Sequence, residues 1–490
     1  MSLATVVDKF AQLDLGFSNE GLTRLSEQAR REWHQTRYPW VDWVPSLKRK
    51  QDEATYNVVI VGAGQSGVAA AAALMKHRVD PLLVIDQRPT GFEGPWVDFA
   101  RMPTLRSGKF LVGMDQGLAS LTAESWFRAA YGDAAWESLD KIPTLDWVRY
   151  LLWFRKTLNI PVQNETELVS FDYCKEEDLL CLELEAPEGP KRVWARRIIF
   201  ANGIEGSGDW KVPSLVSENL SPHLYASTSG QVDFEDLRGK RLGVLGAGAS
   251  AFDNAGTALE AGAESVDLFY RRRNLPRVNP NRWMENAGFL AHYASLSDAW
   301  KWKFYYNYWA GNQPPTQAGY DRCICHSNFR LHPGTLWRAV REVDGKIEIE
   351  TDQSRHRFDF LVCATGIVFD LKLQPPLAPY ADRIATWNDR YSPPADLSHP
   401  VYASMPYLGP NFEFLGRRPG ELPWEGKVFC FNSGANLSMG IVGSAISGLK
   451  YGLRFLVEGV GRSLFYESID SIFDEMMTFD KPELTAPDHV

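Results

Sequence analysis

Asn57-Val58-Val59-Ile60-Val61-Gly62-Ala63-Gly64-Gln65-Ser66-Gly67 is the run from which the architecture follows. Its first five residues are mostly β-branched, the composition of a buried parallel strand. A Gly-x-Gly-x-x-Gly turn comes next, and then the alanine-rich stretch Val68 to Met75, a helix by composition. A second apolar run, Pro81 to Ile85, ends at Asp86. This is a βαβ unit in which each part has a physical job. Gly62 permits the tight turn, Gly64 lets backbone N–H groups approach a pyrophosphate, and Gly67 lets helix and strand pack closely. The helix N-terminus, where Gln65 and Ser66 sit, brings partial positive charge to the phosphates. Asp86 stands nineteen residues after Gly67, placed to accept hydrogen bonds from a ribose 2′-OH.

The unit recurs 184 residues later. Arg241-Leu242-Gly243-Val244-Leu245 is the strand, and Gly246-Ala247-Gly248-Ala249-Ser250-Ala251 is the turn, with Ala251 in place of the third glycine. A helix from Phe252 to Ala261 and a strand from Ser265 to Phe269 are expected to follow. The position matching Asp86 is now Tyr270, and Arg271-Arg272-Arg273 come at once. A carboxylate there would repel a 2′-phosphate, whereas arginines attract it through paired N–H donors. Arg271 and Arg272 therefore point to NADPH; a solvated basic loop is the other reading of the same cluster. Two such units at so wide an offset mean two nucleotide-binding domains, not a short-period repeat.

The rest of the chain fits that plan. Its 490 residues are too many for one ordinary core. Expected boundaries are a helical N-terminal extension over 1–50, a first domain built from 51–230 and 355–490, and a second domain over 231–354. In the extension, Val6, Phe10, Leu13 and Leu15 lie between polar residues. A net charge of −9 with no compensating basic block argues against a nucleic-acid binder. The six cysteines form no regular framework, so a reduced, cytoplasmic protein is expected. No signal peptide and no membrane span are read, and a homodimer is left open.

The late run Phe360-Leu361-Val362-Cys363-Ala364-Thr365-Gly366 and the earlier Arg197 to Gly203, ending Ala201-Asn202-Gly203, add the strands at which such a chain crosses between two domains. With the paired turns they make the sequence resemble the two-dinucleotide-domain flavoproteins. Within these it is most similar to the class B flavin-dependent monooxygenases: flavin-containing monooxygenases, Baeyer–Villiger monooxygenases and N-hydroxylases. Gly91-Phe92-Glu93-Gly94-Pro95-Trp96 is similar to that group's Gly-Gly-x-Trp segment beside the flavin. The resemblance implies an α/β fold with two Rossmann-like domains, FAD on the first turn and NADPH on the second. It also implies Trp96, Thr365, Gly366 and Asn436 near the cofactors. The reaction it implies is insertion of one atom of O2 into a small organic substrate through a C4a-(hydro)peroxyflavin. Two segments depart from the group. Its fingerprint before the second turn is replaced by His223-Leu224-Tyr225-Ala226-Ser227-Thr228, and its Thr-Asn-x-Ser-Lys segment by Thr104-Leu105-Arg106-Ser107-Gly108-Lys109.

The same fold serves disulfide reductases, which need a dithiol against the flavin. The one close pair, Cys323-Ile324-Cys325, has a spacing poorly suited to that, and Cys325-His326 lacks a second pair of zinc spacing, so no metal is expected. Trp283, Phe289, Tyr293, Trp300, Trp302, Tyr305, Tyr306 and Trp309 form an aromatic stretch, helical by length, that would wall a dry pocket or serve as a core face. Asp98, Arg101 and Arg106, in the loop after Trp96, are the candidate catalytic groups, with surface ion pairs the alternative. Asn432 to Asn436 should open a helix beginning near Met439, whose dipole would face the flavin. The two arginines lean toward a small polar or anionic substrate, a heteroaromatic such as urate. An NADPH oxidase or reductase of a small acceptor and a flavin-binding sensor are the competing readings.

Overall fold

The computed structural model describes residues 19–45, 53–311 and 313–484. It is built on two sheets, the first mixed and the second wholly parallel. The first runs, edge to edge, through Val162–Gln163, Leu82–Ile85, Thr55–Val61, Gly189–Phe200, Leu179–Ala186 and Glu167–Cys174. Gly189–Phe200 is shared by two kinds of pairing. Its first half pairs antiparallel with Leu179–Ala186, and its second half runs parallel between Thr55–Val61 and Val428–Cys430. Residues 193–200, which include both halves' junction, are buried throughout. That stretch includes Arg196 and Arg197, which two-sided burial would forbid without a counter-ion. Glu467 supplies it, at 2.7 Å from Arg196 and 2.6 Å from Arg197, with Lys427 at 2.9 Å. Burial opposes the Glu467 charge, yet the three cations hold its pKa at about 2. The cluster fastens the end of the long helix Ile446–Glu467 to the sheet.

The second sheet has the order Phe329–Pro333, Ser265–Tyr270, Arg241–Leu245, Phe360–Cys363, Tyr225–Ser227, all parallel. A three-stranded antiparallel sheet, Trp337–Val343, Lys346–Thr351 and Arg355–Phe358, covers one face through Val340, Ile347, Ile349 and Phe358, which pack on Phe269 and Leu361. Where the chain crosses between the two bodies, Gly208–Trp210 and Ile367–Phe369 pair with each other. The expected boundaries at 230/231 and 354/355 thus fall inside the second body. Tyr225–Ser227 and Phe360–Cys363 both pair there, because the crossing strands complete the parallel sheet before the chain leaves it.

Both turn helices begin three residues earlier than composition suggests, at Gln65 and Ala249. The first-turn N–H groups of a helix need no intrahelical partner, so polar residues there read as loop in sequence but are helical in space. The aromatic stretch is not one helix. Asn279 and Asn286 cap new starts, giving Pro280–Met284, Ala287–His292 and then Asp298–Gly311. Of the N-terminal extension, Glu20–Thr36 is a helix that buries Leu22, Leu25, Ala29 and Trp33 at helical spacing. Val6, Phe10, Leu13 and Leu15 lie outside the described residues. No helix among the described residues is long and apolar enough to cross a membrane.

Candidate active site

Both glycine turns open onto one cleft of about 1360 Å³. In the first turn, Gly62 has φ +104°, and a methyl on it would stand 2.7 Å from the Ala201 carbonyl oxygen. A methyl at Gly67 would lie 1.8 Å from the Gly62 oxygen, so this glycine is required by the turn itself. Gly64 differs: the nearest protein atom to a methyl there is 3.7 Å away. Gly248 of the second turn has nothing within 4 Å. Protein packing does not explain these two glycines, whereas a pyrophosphate lying against the backbone N–H groups does. The residues present therefore fit two dinucleotides.

Around the first turn, Asp86 accepts from the N–H of Ala63 at 2.8 Å and of Arg88 at 2.9 Å. Burial raises its pKa, and those two N–H groups oppose the rise. Gln65 and Ser66 donate to the carbonyls of Ser444 and Gly443, tying the helix start to the C-terminal segment. The Gln65 side-chain oxygen Oε1 is buried with no partner. Trp96 lines the cleft, its ring 6.4 Å from that of Trp147. Asn436 also lines it and accepts from the Ser444 hydroxyl at 3.0 Å. The expected helix near Met439 is displaced. Asn436–Met439 is a single turn, and Gly440, at φ +79°, breaks it before the long helix starts at Ile446.

Around the second turn, Ala251 is fully buried and Ser250 lines the cleft. Arg271 and Arg272 are exposed at the cleft mouth, just past the strand end at Tyr270; Arg273 is not part of the lining. Thr365 donates to the Lys211 carbonyl, and the Gly366 carbonyl accepts from Lys211 N–H at 2.8 Å, so this pair marks the crossing.

The three candidate catalytic residues separate. Asp98 is ion-paired with Arg88 and does not line the cleft. Arg101 lines it, but its guanidinium donates to the carbonyls of Phe99, Thr228 and Gly230 at 3.1, 2.7 and 3.0 Å. Burial lowers its pKa to about 10. Arg106 donates to the Gln313 side-chain oxygen and the Pro314 carbonyl, both at 2.8 Å. Gln313 in turn donates to the Tyr308 hydroxyl, which donates to Asn281, each at 2.7 Å. Beside this relay stands Asp253, a residue the sequence reading missed. Burial pushes its pKa up to about 6 against the pull of Arg322 and Arg106. The signal lay in its place, on the first turns of the helix after the second glycine turn.

Two members of the aromatic stretch reach the cleft, Tyr305 and Trp309, and Tyr308 between them joins the lining. Trp302 packs instead on Trp387 and Tyr402, while Trp283 and Trp300 are exposed. His399 and Tyr402, also unforeseen, stack at 3.7 Å on the cleft wall. The Tyr305 hydroxyl, the Trp309 indole N–H, the Arg106 Nε and the His399 Nδ1 are all buried with no hydrogen-bond partner. Aromatic walls carrying unspent polar groups suit a flat, polar ligand.

No family profile matches the chain. It is 44% identical over 433 residues to the FAD-dependent urate hydroxylase of Xanthomonas campestris pv. campestris, covering 88% of this chain and 90% of that one. The ornithine N-hydroxylase of Kutzneria sp. 744 superposes with a TM-score of 0.65 at 14% identity, over 84% of this chain and 99% of that one. The L-lysine 6-monooxygenase of Pseudomonas syringae gives 0.62 at 16%, over 83% and 99%. These two distant likenesses bear out the two-domain α/β fold. The urate hydroxylase relationship is near enough to settle kinship: the chain belongs to the family of that FAD-dependent hydroxylase, among the class B flavin monooxygenases its sequence resembles.

Proposed function

We propose that this protein is an NADPH-dependent FAD monooxygenase that hydroxylates urate with O2. One observation carries the reading: both glycine turns, each with open space over its second glycine, share a single cleft with an aromatic wall bearing unpartnered polar groups. The backbone around Gly62 and Gly64 would hold the FAD pyrophosphate, and Asp86 its ribose. Gly246, Gly248 and the first turn containing Ser250 and Ala251 would hold that of NADPH, with Arg271 and Arg272 on the 2′-phosphate. When bound, the flavin takes electrons from NADPH and activates dioxygen.

The protein's own part is positioning and exclusion of water. Arg106 is fixed by Gln313 and Pro314, and its remaining N–H attracts an anionic substrate. Tyr305 and Trp309 offer flat faces and polar edges to a heteroaromatic ring. Burial lowers the His399 pKa and so favours the neutral imidazole, which can accept or relay a proton. Arg101 holds the loop that carries Arg106 against the second domain. Asp98 serves that loop through Arg88. The six free cysteines support a cytoplasmic location.

The test is NADPH oxidation and oxygen uptake by the yellow protein with and without urate. Loss of urate in step with NADPH supports the proposal. Stoichiometric hydrogen peroxide with urate untouched would establish an oxidase instead. Flavin that NADPH fails to bleach would remove the assignment of the second turn.

A further inference from the structure

In the second domain, three side chains converge that neither the cleft lining nor the proposed cofactor contacts include. Asp267 lies on Ser265–Tyr270, His332 on the neighbouring strand Phe329–Pro333, and His356 on Arg355–Phe358 of the covering sheet. None of them lines the cleft. One carboxylate oxygen of Asp267 and one ring nitrogen of each histidine all lie within 4.8 Å of one another.

We propose that Asp267, His332 and His356 bind one divalent ion of the zinc class. Two imidazoles and a carboxylate are the donor set of many three-ligand zinc sites, which leave a fourth position to water. The Asp267 side chain is 4% exposed. Its Oδ1 meets His332 Nε2 at 2.6 Å, but its Oδ2 is buried with no hydrogen-bond partner. A hydrogen-bonded His–Asp pair accounts for the first oxygen and leaves the second unexplained, a costly state for a carboxylate shut away from water. An ion among the three residues satisfies it.

The rings are held for the purpose. His332 stacks on Phe269 at 4.3 Å, and His356 stands edge-on to both, 5.0 Å from each. His356 Nε2 is 2.8 Å from the Ser354 hydroxyl, an outer partner that orients the ring and leaves Nδ1 for the metal. Ligands about 2.1 Å from a zinc ion stand up to roughly 4 Å apart. The site therefore forms when His356 turns inward and His332 Nε2 exchanges its 2.6 Å contact with Asp267 Oδ1 for the ion. Because the ligands come from two sheets, the ion clamps the antiparallel layer onto the parallel one. Its role is to stabilise the second domain.

The experiment uses tag-free holoenzyme, stripped with EDTA, dialysed and titrated with Co2+ and then Zn2+. Expected are visible Co2+ absorption bands that saturate at one equivalent and are displaced by Zn2+, with a rise in Tm on Zn2+ addition. His356→Gln, at a half-buried position, abolishes the bands and the Tm rise. Ser354→Ala, on the exposed turn, weakens Zn2+ binding about tenfold. Absence of Co2+ bands in the parent overturns the site, as does binding that survives His356→Gln. Should that variant fail to fold, the parent titration and Ser354→Ala still decide.

Discussion

Asp253→Asn separates the cost of a buried charge from its use. Burial raises the Asp253 pKa from 3.8 to about 6, despite Arg322 and Arg106 nearby. A shift of roughly two units at about 1.4 kcal/mol each makes the ionised carboxylate cost the fold up to about 3 kcal/mol. The folded pKa is the higher one, so the folded protein binds the proton more tightly than the unfolded chain. Stability then rises as pH falls through 6, and the gain is complete near the unfolded value of about 4. At pH 8 the parent carries the full cost, and an asparagine does not. Asp253→Asn should therefore melt several degrees above the parent at pH 8, at roughly 2–4 °C per kcal/mol for a domain of this size. The difference should shrink toward zero between pH 6 and pH 4. Other buried carboxylates such as Asp86 and Glu93 titrate alike in both proteins and cancel. Thermal melts of the two holoenzymes at half-unit pH steps measure it. Asp253 lines the cleft near Arg106, so urate turnover should fall as stability rises. A variant no more stable than the parent at pH 8, or a difference independent of pH, would refute the reasoning.

Three further outcomes are expected. Arg271→Ala with Arg272→Ala should lower the NADPH/NADH ratio of kcat/KM by about 10- to 100-fold, the lower part of the range for two exposed charged hydrogen bonds; steady-state kinetics with both coenzymes measure it. Gly64→Ala should fold with a Tm near the parent's but retain FAD poorly, since its methyl meets only space the cofactor needs, whereas Gly67→Ala should fail to fold because of the 1.8 Å contact; flavin content per chain distinguishes them. Arg106→Ala should raise the KM for urate about 10- to 100-fold while leaving that for NADPH unchanged.

The fold was legible in the sequence because its two decisive turns are local. Strand, glycines, helix and the residue ending the next strand all fall within about thirty positions, and each answers to one backbone requirement. The crossing strands Arg197 to Gly203 and Phe360 to Gly366 were legible too, whereas Tyr225–Ser227 was not read as a strand, since so short an edge strand is assigned by its partner and not by composition. The pocket was legible only in part. Asp253, the pair Tyr308 and Gln313, and His399 come from three separate segments, and nothing in any one of them announces the others. The same holds for Asp267, His332 and His356, which a search for zinc spacing cannot find because no two of them share a segment.

Arg101 and Arg106 show how charges beside a cleft can carry a mechanical task. Charges in a loop against a cofactor do have work, but much of it here is mechanical. Arg101 grips the carbonyls of Thr228 and Gly230, Arg106 grips Gln313 and Pro314, and Arg322 reaches back to the Arg101 carbonyl at 3.3 Å. Three arginines thus bolt the loop after Trp96 to the second domain. Thr228 and Gly230 lie at the end of the segment where the wider monooxygenase group has its fingerprint and this chain does not. Hydride transfer requires the two cofactors to meet at a fixed distance and angle. In this chain the guanidinium groups of Arg101 and Arg106 tie the loop after Trp96 to the second domain at that point. Replacing Arg101 with lysine keeps the charge but forfeits the three-carbonyl grip, so it should loosen the coupling of NADPH oxidation to hydroxylation, with more hydrogen peroxide released per NADPH while flavin content is unchanged.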